Sequence, residues 1–353
     1  MNLADLGLDD WFKKHATDML QPGQSMARVT AVDRGVYQVR GEAGQCPAEL
    51  VGRLRFAIDS NADMPSVGDW VCVQFHNSGE NAVICDILPR RTFLRRKHAG
   101  NTIDFQMIAA NVDTPFIVQS CHYDFNISRL DRYLVMAREG HTEPIIILSK
   151  IDLISAEALE QIIETIRQRG ITAKIVPLSG ATGQHVDDFL KLLTPGKTYC
   201  LLGSSGVGKT TLINCLMGRD AFETKTVSRT GEGTHATTRR QLIVLDHGAL
   251  LIDTPGMREL GILGADEGIN ESFSDIHELS KTCRFANCTH TQEPGCAVLM
   301  ATEEEGGLSE ERFRSYHKLK KESDFNEMNY VDRRKKDKAF GKFIKSAQKR
   351  TKQ

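Results

Sequence analysis

Leu201 to Leu216 reads LLGSSGVGKTTLINCL: the apolar end of a β-like run, a glycine-rich loop, and the start of an amphipathic helix. Gly203-Ser204-Ser205-Gly206-Val207-Gly208-Lys209-Thr210 matches the pattern G-x-x-x-x-G-K-[ST]. Glycines there let successive backbone N–H groups turn inward on phosphate oxygens with no Cβ in the way. Lys209 is placed to bring its ammonium to the β and γ oxygens, and the Thr210 hydroxyl to ligate Mg²⁺. Thr211 follows in the first turn of a helix whose N-terminal dipole favours the same anion. A chance glycine turn would lack the strand before and the helix after; both are present. The stretch predicts a phosphate-binding loop at the end of a buried strand.

Two further segments bear on the nucleotide. Asp253 closes the apolar run ALLID, and Gly256 follows in Asp253-Thr254-Pro255-Gly256. A carboxylate there can hold Mg²⁺ through water, and the glycine N–H can sense a γ-phosphate. Upstream, Ser149-Lys150-Ile151-Asp152 ends the buried run PIIIL and fits an Asn/Thr-Lys-x-Asp segment with Ser in the first place. Asp152 would accept from guanine N1–H and N2–H₂, donors that adenine lacks. Ser179-Gly180, after the next strand, can offer an N–H to the guanine oxygen. The order is reversed, since in ordinary small GTPases the base-reading segment follows the phosphate loop. The same sheet is reached if the old termini are joined and the chain is cut elsewhere, because domain termini commonly lie close together. This predicts a circularly permuted domain.

Outward from this centre, the chain divides. Residues 113–120, 144–148, 173–177, 197–202, 241–245 and 249–252 read as strands, with helices over 129–138, 156–169 and 210–217. That alternation predicts a mainly parallel sheet with helices on both faces. From Ala27 to Asp86 the runs are short and separated by turns such as Asp33-Arg34-Gly35 and Asn77-Ser78-Gly79. They suit a small five-stranded barrel, OB-type among the options, and a sandwich equally. A short helical lead precedes it, broken at Gln21-Pro22-Gly23; beyond residue 265 the chain turns helical and charged. The expected fold class is multidomain: an N-terminal all-β OB-type barrel, a central α/β circularly permuted P-loop domain, and a C-terminal helical zinc-binding domain. The expected bounds are 1–26 for an N-terminal extension, 27–97 for the barrel, 98–265 for the permuted domain, 266–330 for the zinc-binding domain and 331–353 for a basic tail.

The 353 residues are 40% hydrophobic and 26% charged, the balance of a soluble globular protein. No window approaches the ~20 apolar residues of a membrane span, and MNLADLGLDDWFKKH lacks the apolar core of a secretion signal. A cytoplasmic location is expected. Net charge is −1, but from Asp332 to Gln353 ten Lys or Arg face two Asp, and Arg90, Arg91, Arg95, Arg96 and Lys97 form a second basic knot. Each is either a solvated face or a contact for a polyanion. Of nine cysteines, six are scattered and read as small buried hydrophobes. Cys283, Cys288 and Cys296, with His290, crowd into one loop, and Pro294-Gly295 supplies its turn. Three thiolates and an imidazole are the right number and softness for tetrahedral Zn²⁺, and with no open position the site is structural.

Taken together, the chain resembles the ribosome small subunit-dependent GTPases of the RsgA or YjeQ type. The resemblance runs from about Ala27 to Tyr316. It rests on the barrel start, the permuted order SKID, GSSGVGKT, DTPG, the segment Gly233-Thr234-His235-Ala236-Thr237-Thr238, and the loop CRFANCTHTQEPGC. It implies an OB fold, a permuted GTPase and a zinc domain, acting in late maturation of the small ribosomal subunit with GTP turnover stimulated by that subunit. GTP/GDP, the small subunit and its rRNA are the implied partners of a monomer. Ser149 stands where the family usually has Asn, and HATT where relatives often have HTTT, with Thr237 still aligned to the switch threonine expected on Mg²⁺ beside Thr210 and Asp253. Met257 cannot orient an attacking water as glutamine does, so His235 is the candidate catalytic residue. Two other classes fit parts of the pattern: a GTP switch recruiting a protein partner, and an ATP-driven nucleic-acid enzyme.

Overall fold

Asp9 sets the first element in place: its carboxylate accepts from the N–H groups of Trp11 and Phe12, capping α1 (Asp10–Met19). The computed structural model describes residues 2–33, 35–58, 60–98, 103–218, 240–254 and 261–328. Helix α1 buries Phe12 against Trp70, with ring centroids 5.9 Å apart.

The strands that follow are β1 (Ser25–Asp33), β2 (Val36–Gly41), β3 (Gly44–Leu50), β4 (Trp70–His76) and β5 (Asn81–Ile87), with the short helix α2 (Gly52–Ala57) between β3 and β4. Strand β1 pairs antiparallel with both β2 and β4, β3 pairs parallel with β5, and β4 with β5, so the ring closes. Closure leaves no edge within the ring and decides for an OB-type barrel over a sandwich. Val29, Val39, Val71, Val73 and Ile84 fill it.

The basic knot has a different fate from a polyanion contact. It lies at and within a hairpin, β6 (Phe93–Lys97) with β7 (Phe105–Ala110), and its arginines are engaged by the protein itself. Arg90 forks onto Asp69 at 2.8 Å through both Nε and Nη2. Arg91 pairs with Asp9 (2.7 Å), and Arg95 stacks 3.9 Å from the Phe105 ring centre while reaching Glu139 (3.3 Å). The Arg96 guanidinium donates to Gln106. These four arginines brace the protein internally.

Next come β8 (Thr114–Ser120), α3 (Ile127–Glu139), β9 (Ile145–Ser149), α4 (Ala156–Gln168), β10 (Lys174–Pro177), α5 (Val186–Leu190), β11 (Thr198–Leu202), α6 (Lys209–Leu216), β12 (Arg240–Val244) and β13 (Leu250–Asp253). Their order in the sheet is β10-β9-β8-β11-β13-β12, parallel throughout except for β12. Near-continuous apolar runs make these strands, and apolar clusters cover both faces, as a buried parallel sheet requires. Strand β12 also pairs antiparallel with β1, Ala31 facing Gln241 and Val32 facing Arg240, so barrel and α/β sheet share hydrogen bonds.

Helices α7 (Asp266–Ser272), α8 (Ser274–Ser280), α9 (Ala297–Glu303) and α10 (Glu310–Glu327) complete the described chain. Helix α7 seats on α3 at Gly268, where a Cβ would lie 2.3 Å from the Val135 carbonyl oxygen. No described helix is long and apolar enough to cross a membrane.

Arg28, 1% exposed, joins these parts. Its guanidinium donates to the carbonyls of Leu6, Gly68 and Asn111 and to Thr198 Oγ1 (2.9 Å), and lies 5.5 Å from the Trp70 ring centre. Burial brings its pKa down to about 10, so it remains charged at neutral pH. Arg28→Ala removes a donor from four acceptors, of which, among the described residues, Gly68 O alone keeps another in the Asn111 amide, and is expected to cost about 3 kcal/mol. Thermal unfolding followed by circular dichroism would read this as a lowered midpoint, with Arg28→Lys recovering only part.

Candidate functional site

Strand β11 is buried along its whole length and delivers the glycine loop at its carboxyl end. Gly203, Gly206 and Gly208 have φ of 155°, 81° and 98°, and a Cβ at Gly203 would lie 2.5 Å from the Val118 carbonyl oxygen. Only glycine suits that combination of left-handed turn and close approach. Helix α6 starts at Lys209, with Thr210 and Thr211 half-buried in its first turn and Ser205, Gly206 and Val207 in the loop before it. Lys209 Nζ donates to the carbonyls of Gly203 (2.8 Å) and Ser204 (2.7 Å). Burial draws the ammonium down to about 8, opposed by the carboxylates of Asp253 and Asp124.

The segments Ser149–Asp152 and Ser179-Gly180 come to this loop and the helix after it. Ser149 Oγ donates to the Val207 carbonyl (2.6 Å), with Gln119 O as a second acceptor at 3.2 Å. Lys150, in the left-handed region at φ 60°, lays its stem beside the loop, with Cε and Ser149 Oγ each 4.0 Å from where a Gly208 Cβ would be. Burial lowers its pKa, and Asp124 and Asp152 pull the other way. Ile151 is buried, and Asp152 is exposed on the single turn Ile151–Leu153. Ser179, fully buried, accepts from the N–H groups of Ala181 and Thr182 and so holds its loop closed. Gly180 lies against Thr211, and its carbonyl accepts from the Cys215 thiol at 3.3 Å.

Asp253, 2% exposed, stands at the end of β13, and Thr254 Oγ1 donates to Leu201 O (2.6 Å) to fasten that end to β11. Its carboxylate and the Thr210 hydroxyl are hard oxygen donors of the kind Mg²⁺ takes. His235, Thr237 and Gly256 lie outside the described residues, as does the tail from 331. The residue that sequence reading missed is Asp124. It accepts from Ser204 Oγ and pairs with Arg129 (2.8 Å), bracing the phosphate loop against α3. No local pattern announces it, because the contact exists only through the pairing of β8 with β11.

The second cluster is in the loop between α8 and α9. The ligand atoms of Cys283, Cys288, His290 and Cys296 all lie within 4.8 Å of one another. Cys283 Sγ is 3.9 Å from Cys296 Sγ, and His290 Nδ1 is 3.7 Å from Cys283 Sγ and 3.3 Å from Cys296 Sγ. A tetrahedral ion with metal–sulfur bonds of about 2.3 Å needs ligand separations of about 3.8 Å, so the donors fit one ion. Glu293 shapes the loop by accepting from the N–H groups of Thr289 (2.8 Å), Thr291 (2.8 Å) and Gln292 (3.1 Å).

Comparison with known proteins agrees with this geometry. The RsgA GTPase family model matches residues 87–263. A relative from Lactiplantibacillus plantarum, named small ribosomal subunit biogenesis GTPase RsgA 2, is 41% identical over 357 residues, covering 100% of this chain and 98% of its own. The crystal structure of YjeQ from Thermotoga maritima matches with a TM-score of 0.60 at 26% identity, over 84% of this chain and 97% of that one. That of YloQ, described as a circularly permuted GTPase, matches with a TM-score of 0.59 at 26% identity, over 87% and 97%.

Lys209 gives the site a pH signature. A phosphate beside the ammonium raises its pKa above about 8, so binding takes up a proton once pH exceeds that value. Nucleotide affinity is expected to be level below pH 8 and to fall as pH rises, about tenfold by pH 9. Calorimetry in buffers of different ionisation enthalpy checks both the fall and the proton uptake. A flat affinity between pH 7 and pH 9 would contradict it.

Proposed function

Because this chain belongs to the RsgA GTPase family, we propose that it binds the small ribosomal subunit and hydrolyses GTP in that subunit's late maturation, with turnover stimulated by the subunit. The observation that supports this best is the Ser149 hydroxyl on the Val207 carbonyl, which brings the SKID segment to the phosphate loop despite their reversed order.

In this reading Asp152 accepts from the guanine edge, Ser149, Lys150 and Ile151 hold it in place, and Ser179-Gly180 donates to the guanine oxygen. Residues 203–211 surround the phosphates, Lys209 placing its ammonium on the oxygens that gain charge as the γ-phosphoryl leaves. Gly256 contacts the γ-phosphate. Thr210, Thr237 and Asp253 would hold Mg²⁺, which supplies charge neutralisation. His235 orients the attacking water, since Met257 offers no hydrogen bond of the needed kind. The working division is a barrel to residue 97, the permuted GTPase to 265, a zinc-binding unit to 330 and an RNA-binding tail after it. The protein works as a monomer in the cytoplasm, where subunits are assembled.

We assign zinc to the four-donor cluster, in a structural role, since four protein ligands leave no position for substrate. Metal analysis of the purified chain is expected to find one equivalent of zinc. Cys288→Ser should lose most of it and lower the unfolding midpoint; a wild-type chain free of zinc, or iron in its stead, removes the assignment. For the activity, GTP turnover measured with and without purified small subunits is the direct test. His235→Ala should keep nucleotide affinity and lose most of the stimulated rate. No stimulation of the wild type would sink the ribosomal reading, and full stimulation of the variant would remove His235 from the chemistry.

A further inference from the structure

A cleft of about 300 Å³ opens where the barrel, the β6–β7 hairpin and β12 meet, on the opposite side of β12 from its partner β13. Four separate stretches of chain build it: Tyr37 from β2, Asn61 and Met64 from the turn after α2, His98 and Gln106 from the hairpin, and Arg240 from the first position of β12. We propose that this cleft takes a single unpaired base of RNA, turned out of its stack. The proposal rests on the ribosomal reading above and names where that partner's RNA is read.

The lining shows polar groups that the protein leaves unanswered. Tyr37 is 4% exposed, its ring fixed in the barrel core, and its hydroxyl makes no hydrogen bond among the described residues. His98 Nδ1 is buried without a partner. The Gln106 carbonyl oxygen accepts from Arg96 (3.1 and 2.9 Å), which fixes the amide's orientation and leaves its NH₂ as a donor. Arg240 is anchored through Nη1 to the Met107 carbonyl (2.6 Å), holding a cation at the wall.

A phenol, an imidazole, an amide donor and a guanidinium beside the thioether of Met64 make a mixed wall. A flat heterocycle with hydrogen-bonding edges and an attached phosphate answers all of them. The volume is at the lower end for small-ligand pockets, which begin at about 300 Å³. Duplex RNA keeps its bases stacked inside the helix and cannot present one, whereas loops and bulges can. Helix α2, which leads into the turn that carries Asn61 and Met64, presents exposed Arg53, Arg55 and Phe56 (89% exposed), cations for a backbone and a ring for a neighbouring base.

The test uses the full chain and its fluorescence anisotropy with short single-stranded RNAs of each base, and with an RNA duplex. Tyr37→Phe removes one oxygen that has no internal partner and should fold with an unchanged melting midpoint; Gln106→Met removes the donor but also the acceptor of Arg96, so its midpoint is measured beside its affinity. Each is expected to weaken single-stranded RNA binding about tenfold, leaving duplex binding and intrinsic GTP turnover unchanged. Wild-type affinity for single strands in both variants overturns the proposal, as does equal wild-type affinity for duplex and single strand. Subunit-stimulated turnover measured alongside separates the two levels. Normal stimulation with unaltered RNA affinity rejects the cleft alone, while absent stimulation of the wild type rejects the wider reading.

Discussion

The Arg28 guanidinium is a charge kept out of water, and the fold around it exists in a form that makes this tolerable. Its acceptors come from Leu6 in the lead segment, Gly68 before β4, Asn111 after β7 and Thr198 at the start of β11. An isolated buried cation is costly, so an arrangement that satisfies its donors at once is strongly preferred over neighbours that do not. Thr198 opens the strand that ends in the phosphate loop. The barrel wall and the nucleotide-facing loop therefore share one fixed point at the base of β11.

That fixed point bears on how the chain can be permuted. Hydrogen-bond register in a parallel sheet depends on which strands are neighbours, and says nothing about the order of synthesis. β11 sits between β8 and β13, so the loops after β8, β11 and β13 open on one side, as ligand crevices in such sheets do. Ser149 then needs only a hydroxyl to reach Val207; the longer Asn usual at this position is replaced by a shorter side chain that still finds the carbonyl at 2.6 Å. The antiparallel edge strand β12 has a consequence of its own. An exposed edge invites pairing with other chains, and here β1 of the barrel occupies it at Ala31 and Val32.

What could be read from the sequence was whatever is local. The glycine loop is a matter of φ angles and missing Cβ atoms within eight positions, and the thiolate cluster a matter of spacing within fourteen. Both are written in consecutive residues. The barrel was ambiguous because closure rests on β1 with β4 and β3 with β5, pairings that strand patterns do not encode. The basic knot was open to two readings for the same reason. Asp9, Asp69 and Glu139 are distant in sequence, and until they are placed beside Arg91, Arg90 and Arg95 a run of arginines looks like a surface for polyanions. Asp124 was invisible because its carboxylate gains meaning only beside Ser204.

Helix α3 shows why the C-terminal helices cannot be treated as an appendage. Its N-terminal turn meets the phosphate loop's brace through Arg129 and Asp124. Further along, Arg132 pairs with Glu322 of α10 at 2.7 Å, and Ser315 of the same helix donates to the buried Asp131. At Val135 the absence of a side chain on Gly268 lets α7 approach backbone to backbone. Packing that close does not deform gradually, since a shift of a fraction of an ångström forfeits contact or forces a clash. Glu139, at the helix's other end, closes the set by accepting from Gly268 N–H (2.9 Å) and from Arg95 of the hairpin (3.3 Å). One rigid helix thus touches the phosphate-loop brace, the hairpin beside the barrel and the helices that carry the thiolate cluster. A displacement imposed at any of these contacts has to be accommodated at the others.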